Sequence, residues 1–175
     1  MELRNAKTSD ICALSALIEL SGRALSAGHY SPEQADAITR HVFGVDTQLI
    51  DDQTYFVIDG ESHIVACGGW SKRRTLFGGD QAKSGSDPLL DPAAEPARIR
   101  AFFVHPSMAR RGLGRQLMAA CISASKQAGF SSLELVATLP GEPLYLASGF
   151  VVLERFSLDL PGPIQVPVSR MRMAI

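Results

Sequence analysis

A short basic turn is the part of the sequence whose residue types are best suited to binding an anion. It reads Arg110-Arg111-Gly112-Leu113-Gly114, with Arg115 directly after it. Glycine lets a ligand approach the backbone closely, and the first amides of a helix have no internal hydrogen-bond partners. A phosphate group fits such a site, and the arginines would add charge-assisted hydrogen bonds. The glycine pattern alone is explained equally well by an ordinary strand-to-helix turn with solvated arginines.

A strand before this turn and a helix after it must position these residues. Side chains alternate in character over 98–104, which is the period of a strand, and Pro106 ends the strand because it cannot donate to a sheet. Apolar residues then recur at helical spacing over 113–128, and Gly129 marks the helix end. A further strand over 132–137 completes a parallel strand–helix–strand crossover. One face of the first strand is expected to carry Ile99, Ala101 and Phe103.

The remaining segments predict helices and hairpins around this crossover. Helices are expected over about 11–25, 32–43 and 142–148, and strands over 2–4, 54–58, 63–70, from 150 onward and over 165–173. A long loop rich in Gly, Pro, Asp and Ala covers 71–95. The pattern predicts an α+β fold, a mostly antiparallel mixed sheet with one parallel crossover, flanked by helices. For 175 residues we expect a single domain over 1–175.

Composition and charge exclude several classes of protein. The chain is 46% hydrophobic and 20% charged, with a formal net charge of −1, so it has no electrostatic footprint for nucleic acid or for an anionic membrane. Cys12, Cys67 and Cys121 are far apart in apolar contexts and predict reduced core thiols of a cytoplasmic protein. No His, Cys and Asp residues stand at metal-ligand spacing, so we expect no metal.

Two motifs make the chain resemble the GCN5-related N-acetyltransferases (the GNAT family). The family pattern Gln/Arg-x-x-Gly-x-Gly/Ala, which joins its fourth strand to its third helix, is matched over 109–114 except at Ala109. The family's Tyr-x-x-x-Gly-Phe is matched by Tyr145, Gly149 and Phe150. Both motifs lie in the family's order with a strand between them, which is more specific than one Gly-x-Gly. The resemblance covers essentially the whole chain and implies the acyl-CoA N-acyltransferase fold.

The resemblance implies acetyl-CoA as the acyl-donor cosubstrate, with no metal. In the family the glycine turn binds the pyrophosphate of coenzyme A. The fourth and fifth strands splay apart, so that the pantetheine arm lies between them like an added strand. A backbone amide near Phe103 would polarise the thioester carbonyl. By position, the implied cofactor-binding residues are Phe102, Phe103, Val104, Ala109, Arg110, Arg111, Gly112, Leu113, Gly114, Arg115, Thr138 and Tyr145.

Acetyl transfer to an amine requires an acid for the departing thiolate and a base for the amine. Tyr145 stands where the family's general acid stands, and a tyrosine hydroxyl with a pKa of about 10 can protonate a thiolate. The structural alternative is a core aromatic whose hydroxyl reaches the surface. The acidic residue that the family often carries on its fourth strand is absent. The remaining candidates for the base are His29, Glu33, His105 and Glu134.

The sequence says less about the residues that bind the acceptor amine than about those that bind the acetyl donor. In the family the turn between the first two helices forms one wall of the acceptor pocket. This makes His29, Tyr30 and Glu33 candidate substrate residues, together with Trp70 at the end of its strand. Arg98 and Arg100 are either solvated strand residues or binders of an acidic acceptor.

The leading functional prediction is an acetyl-CoA-dependent N-acetyltransferase that acts on the primary amine of a small molecule by direct attack in a ternary complex. Two alternatives stay open, a protein or peptide amine acetyltransferase and a non-catalytic acyl-CoA-binding regulatory module. The expected partner is a small-molecule amine, without nucleic acid or membrane, and a homodimer is left open. A dinucleotide-dependent dehydrogenase is disfavoured because no Gly-x-Gly-x-x-Gly follows the first strand.

Overall fold

A mixed seven-stranded sheet with helices on both faces is the framework of the chain, seen in a computed structural model that describes residues 1–175. The strands are β1 (Glu2–Asn5), β2 (Tyr55–Asp59), β3 (Ile64–Ser71), β4 (Ala97–Val104), β5 (Ser132–Thr138), β6 (Val151–Leu160) and β7 (Ile164–Ala174). The helices are α1 (Ile11–Ser26), α2 (Pro32–His41), α3 (Thr47–Asp51), α4 (Leu113–Gln127) and α5 (Glu142–Ala147). The strand order is β1-β2-β3-β4-β5-β7-β6, and only β4 and β5 run parallel. The α+β class and the single parallel crossover predicted from the sequence are confirmed.

Two apolar layers hold the helices against the sheet. On one face α4 and α5 cover a cluster that includes Met118, Cys121 and Leu135. On the other face α1 and α3 cover a cluster that includes Leu14 and Tyr55, and α2 packs on the β6–β7 hairpin. The sheet therefore separates an α4 side from an α1 side. None of the helices is both long and apolar enough to cross a membrane.

The start of α2 follows from its local sequence. The Ser31 hydroxyl accepts a hydrogen bond from the Gln34 amide, and the Gln34 side chain accepts one from the Ser31 amide. Pro32 occupies the first helical position, where its missing N–H costs nothing. Gln34 Nε2 also donates to the Gln165 carbonyl at 2.7 Å. These contacts fix the turn between α1 and α2 relative to β7.

The regular alternation expected along β4 is wrong because the strand carries a bulge. Pairing with β3 shifts between Cys67 and Gly69, and Ala101 has a φ of 54°, in the left-handed region that non-glycine residues rarely adopt. Ile99 therefore lies on the α4 side, whereas Phe103 lies on the α1 side. The side chain of Phe102 lies on the α4 side, where its ring packs over Gly68. A Cβ at position 68 would come within 2.6 Å of the Phe102 ring.

The long loop over 71–95 is held to the α1 side by charged side chains. Arg73 makes a bidentate pair with Asp52 at 2.6 and 2.9 Å, and it also donates to the Asp87 carbonyl at 3.1 Å. Lys83 pairs with the buried Asp46 just before α3. Bidentate arginine–carboxylate pairs are geometrically specific, so the loop has a defined position beside β4.

The three cysteines differ in exposure, which corrects the expectation that all of them lie in the core. Cys12 is exposed, whereas Cys67 and Cys121 are fully buried. Burial raises the pKa of Cys67 to about 12. None of the cysteines takes part in a group of three or more His, Cys, Asp or Glu residues that could hold a metal ion.

Ellman's reagent is expected to titrate one thiol in the native protein and three in urea, because only a thiolate that the reagent can reach reacts. Absorbance after mixing, with and without denaturant, measures both numbers. Rapid reaction of all three thiols in the native protein would contradict the burial of Cys67 and Cys121.

Candidate active site

A cleft opens in the sheet where β4 and β5 stop pairing. These strands pair only at Ala97–Leu133 and Arg98–Glu134. The bulge at Ala101 follows directly, and a bulged strand bends. A cavity of about 700 Å³ occupies the opening. It is lined on the α4 side by the turn before α4 and by α5, and on the α1 side by α1, α2 and the 71–95 loop.

The turn before α4 presents a row of unused hydrogen-bond donors. The backbone amides of residues 110–115 donate to no protein acceptor, and Gln116 is the first whose amide bonds within the turn, to the Gly112 carbonyl at 3.0 Å. Arg110 and Gly112 both have positive φ, of 64° and 85°. Successive amides in such a turn form an anion-binding concavity at the positive end of the helix dipole.

Three arginines surround these amides without carboxylate partners. Arg110, Arg111 and Arg115 are exposed, and none of them takes part in an ion pair. The first turn of α4 also contains no acidic residue. The turn therefore concentrates positive charge, and the residues present fit the pyrophosphate of an acyl-CoA.

The two glycines of the turn are required for different reasons. A Cβ at Gly112 would meet no atom within 4 Å, so this residue serves the positive φ and leaves open space in front of the amides. Gly114 lies inside α4, where a Cβ would come within 2.9 Å of Leu144 Cδ2. A side chain at Gly114 would displace Leu144, the neighbour of Tyr145.

Tyr145 is held by aromatic packing with its hydroxyl left free. It is 9% exposed, and its ring meets Phe102 and Phe150 edge-on at centroid distances of 6.2 and 5.9 Å. The hydroxyls of Tyr30 and Tyr55 both make hydrogen bonds, whereas that of Tyr145 makes none. Burial raises the pKa of Tyr145 above its ordinary value, so the hydroxyl keeps its proton at neutral pH.

A buried carboxylate anchors the helix that carries Tyr145. Glu142, at the first position of α5, accepts hydrogen bonds from Arg155 at 2.6 and 2.8 Å and from the Ser169 hydroxyl at 2.6 Å. These partners lie on β6 and β7, so the contact ties α5 to the β6–β7 edge of the sheet. Arg155, and then Ser169, lower the pKa of Glu142.

Replacing Glu142 by glutamine is expected to lower the free energy of unfolding by about 1–2 kcal/mol at pH 7, because charge-assisted hydrogen bonds are lost while Arg155 remains mostly solvated. The folded-state pKa of Glu142 is depressed, so its contribution is present above the unfolded value of 4.5 and is lost as the pH falls through the folded value. Urea unfolding at pH 7 and at low pH measures the difference.

Glu154→Gln is the matched control for this change, since Glu154 is exposed and its nearest cation, Arg170, is 4.0 Å away. We expect almost no change in unfolding free energy for the control. Equal effects for the two variants at pH 7 would contradict an anchoring role for Glu142.

The backbone edge of β4 that faces the cleft is partly capped by a side chain. The Val104 amide donates to the Ser21 hydroxyl of α1 at 3.2 Å, and both residues line the cavity. The sequence places a carbonyl-polarising amide near Phe103, and in the structure the neighbouring Val104 amide has this hydroxyl as its partner. A serine rotor can release such an amide to a ligand without moving the backbone.

On the α1 side the cavity has apolar walls. Half-buried side chains from five segments leave part of their surface facing it, and these are Leu25, Phe43, Leu76, Phe77, Val136 and Leu158. Phe43 is braced edge-on against Phe103 at 5.1 Å. We call this region the acceptor chamber, and the region around the turn before α4 the donor chamber.

One charged side chain, Arg100, reaches the acceptor chamber. It is 3% exposed, pairs with Asp46 at 2.8 Å, and donates to the carbonyls of Thr75 and Gly78. Burial lowers the pKa of Arg100, and Asp46 opposes this shift. The guanidinium therefore joins the 71–95 loop, the segment before α3 and β4 at one point.

Most of the predicted cofactor residues come together around the cavity. The lining includes Phe102, Phe103, Val104, Ala109, Arg110, Gly112, Leu113, Gly114, Arg115, Thr138 and Tyr145. Arg111 stands exposed on the same turn but outside the lining. Ala109 has extended backbone with no side-chain donor, so the anion-binding groups here are the amides and arginines that follow it.

The predicted acceptor residues are not brought together. His29 lines the cavity, whereas Tyr30, Glu33 and Trp70 do not. Tyr30 is buried and its hydroxyl joins the Pro167 carbonyl to the Leu139 amide. Glu33 is exposed, and Trp70 packs edge-on against Phe130 on the α4 side at 5.9 Å.

Among the four candidates for the base, only His29 borders the cavity. Glu134 is buried, accepts a hydrogen bond from Arg170 at 3.0 Å and faces Arg98 at 3.5 Å, outside the lining. The ring of His105 bonds to the Ser107 hydroxyl at 2.8 Å and also lies outside. His29 is exposed at the rim, on the turn between α1 and α2.

Sequence reasoning missed the apolar residues of the acceptor chamber. Phe43, Leu76 and Phe77 follow α2 or lie in the long loop, where no periodicity marks a wall. The aromatic residue next to the glycine pair at 78–79 was the available signal, since a loop that exposes Phe77 requires a partner surface.

A mixed sheet that opens after a bulged strand, beside a helix N-terminus with free amides, defines the acyl-CoA N-acyltransferase fold, and comparisons with known proteins agree. Residues 16–150 match the family model described as the acetyltransferase (GNAT) family. The chain belongs to this family, whose members use acetyl-CoA as acetyl donor. No curated protein sequence matches the chain.

Solved structures share this fold over almost the whole chain. A GCN5-related N-acetyltransferase from Rhodopseudomonas palustris is 18% identical with a TM-score of 0.72, over 99% of this chain and 95% of that one. PaiA N-acetyltransferase from Thermoplasma acidophilum, in complex with coenzyme A, is 14% identical with a TM-score of 0.66, over 99% and 98%. Ribosomal-protein-alanine N-acetyltransferase from Brucella melitensis is 13% identical with a TM-score of 0.65, over 100% of both. At these identities the likeness establishes the fold.

Proposed function

We propose that this protein transfers the acetyl group of acetyl-CoA to the primary amine of a small molecule, by direct attack in a ternary complex. The observation that carries the proposal is the continuity of the cavity. One space of about 700 Å³ connects the unpaired amides before α4 with the apolar acceptor chamber through the gap between β4 and β5. Donor and acceptor can be bound together, which direct transfer requires.

The residues divide the chemistry between the two chambers. The amides of 110–115 and the arginines around them hold the pyrophosphate. The amine nitrogen attacks the thioester carbonyl carbon, and the carbon–sulfur bond breaks. Tyr145 donates its proton to the departing thiolate, since burial keeps that proton in place at neutral pH. His29 accepts the amine's proton, directly or through water.

The shape of the acceptor chamber favours a small molecule over a protein. The 71–95 loop contributes Leu76 to Gly79 to the lining, and the β6–β7 hairpin contributes Leu158 and Val168. Its ion pairs hold it in this position, so the chamber is walled on several sides. An extended peptide would need an open groove instead.

The test is acetyl transfer across a panel of small amines, followed by release of the coenzyme A thiol, with enzyme-only samples to subtract the exposed Cys12. Initial rates that vary both substrates are expected to give intersecting lines. Parallel lines would indicate an acetyl-enzyme and contradict direct attack. Coenzyme A binding without acetylation of any amine would instead indicate the non-catalytic binding module.

A further inference from the structure

We propose that the acceptor amine carries an apolar group and a carboxylate, as a hydrophobic amino acid does, and that Arg100 binds the carboxylate. The inference rests on the proposed acetyl transfer and names the substrate class for that site. It depends on two properties of the acceptor chamber, its apolar walls and the sign of its charge.

The apolar walls select the body of the acceptor. Phe43, Phe77 and Leu158 are half-buried side chains that pack against the core formed with Ile38 and Val42 while facing the cavity. Their exposed surface is removed from water when an apolar group enters, and this gain is proportional to the area covered. A strongly hydrated acceptor, such as a sugar amine, would lose its hydration without recovering hydrogen bonds from these walls.

The charge of the lining excludes polycations. No Asp, Glu or Lys lines the cavity, and its charged residues are Arg100, Arg110 and Arg115. The last two belong to the donor chamber. A polyamine would place its remaining ammonium groups near arginines with no carboxylate to receive them, which is unfavourable at both ends of the cavity.

Arg100 keeps hydrogen-bond donors that its protein contacts do not use. Its Nη1 donates to the Thr75 carbonyl and its Nη2 to the Gly78 carbonyl beside the Asp46 carboxylate, whereas its Nε donates to no protein acceptor. A guanidinium has five N–H donors, so a carboxylate bound beside Arg100 would take up donors that the protein leaves free. The guanidinium is already oriented by the carbonyls of Thr75 and Gly78, so little side-chain entropy is lost on binding a carboxylate.

The first test compares matched amines with wild-type protein. Phenylalanine and leucine are each paired with the amine that lacks the carboxylate, phenethylamine and isoamylamine, and spermidine serves as the polycation. We expect kcat/KM to be at least about tenfold higher for each amino acid than for its decarboxylated analogue, with spermidine lowest, since a charge-assisted contact is lost. Equal or better use of the decarboxylated amines, or of spermidine, would overturn this inference alone. If coenzyme A binds and no amine is acetylated, both this inference and the proposed function fail.

The second test changes Arg100 while leaving Asp46 a partner. Arg100→Gln keeps the Lys83–Asp46 pair, which limits the damage to the fold. The expected result is loss of the preference for phenylalanine over phenethylamine, with coenzyme A affinity by calorimetry unchanged. Arg100→Lys should recover part of the preference.

Arg73→Gln is the matched control for loop anchoring. Arg73 also holds the 71–95 loop, through Asp52, but it does not line the cavity. Its variant should keep the ratio of kcat/KM between the two amines. If Arg73→Gln and Arg100→Gln change that ratio equally, Arg100 acts by holding the loop and the inference is overturned.

Discussion

Replacing Tyr145 by phenylalanine is expected to lower kcat at least tenfold while leaving the affinity for coenzyme A nearly unchanged. The departing thiolate has a pKa of about 8.5, and a positioned proton donor contributes roughly a hundredfold or more in such steps. The Tyr145 hydroxyl has no protein partner, so removing it breaks no hydrogen bond of the fold. Steady-state rates and calorimetric titration with coenzyme A measure the two quantities.

The pH profile and a stability control separate catalysis from structure. Burial raises the pKa of Tyr145, so the acid form persists through neutral pH, and wild-type kcat should not fall through loss of this proton below about pH 10. Tyr145→Phe should unfold in urea like the wild type. Tyr30→Phe, which loses hydrogen bonds of 2.7 and 2.9 Å, should be less stable by about 1–2 kcal/mol. Unchanged kcat for Tyr145→Phe across the pH range would show that Tyr145 is not the acid.

Gly112→Asp is expected to weaken coenzyme A binding about a hundredfold or more. The open space in front of Gly112 is where the pyrophosphate would lie, and a carboxylate there places like charges within a few ångström of each other at this exposed turn. Calorimetry at low and high salt measures the loss, which should shrink as salt screens the repulsion.

Two controls isolate the charge from the strain of a side chain at positive φ. Gly85 has a φ of 79°, a Cβ there would meet no atom within 4 Å, and the residue lies outside the cavity, so Gly85→Asp should bind coenzyme A normally. Gly112→Ala carries the backbone strain without the charge and should lose much less affinity than Gly112→Asp. If Gly112→Asp binds coenzyme A like the wild type, the pyrophosphate does not lie at this turn.

The donor chamber was predictable because it is local in sequence. The turn over 109–115 and the Tyr145 helix are each specified by a few adjacent residues, through glycine conformation, helix-end amides and a short aromatic motif. The elements that carry them follow from apolar periodicity for the same reason. α4 and the parallel crossover therefore have nearly the predicted bounds.

The acceptor chamber was not predictable because its residues meet only in three dimensions. The neighbours of Arg100 come from the segment before α3 and from the long loop. No sequence pattern identifies either of these positions as part of the site. Trp70 was expected in this chamber, but the alternation of side chains along β3 places its side chain with Phe130 on the α4 side. The face of the sheet on which a β4 side chain lies depends on the bulge in the pairing of β4 with β3. The residue pattern within β4 does not encode this bulge.

Because of the bulge at Ala101, the opening of the sheet depends on the number of residues in β4. Arg100 and Ala101 both lie on the α1 side, so a strand shorter by the one residue Ala101 would still send Ile99, Arg100 and Phe102 to their present faces. Such a deletion would remove the bend in β4. The bend is what separates β4 from β5 after Arg98. Alanine scanning would not probe this bulge, because the residue with the positive φ is itself an alanine. Among natural variants, we expect β4 to tolerate exchanges of side chain far better than insertions or deletions.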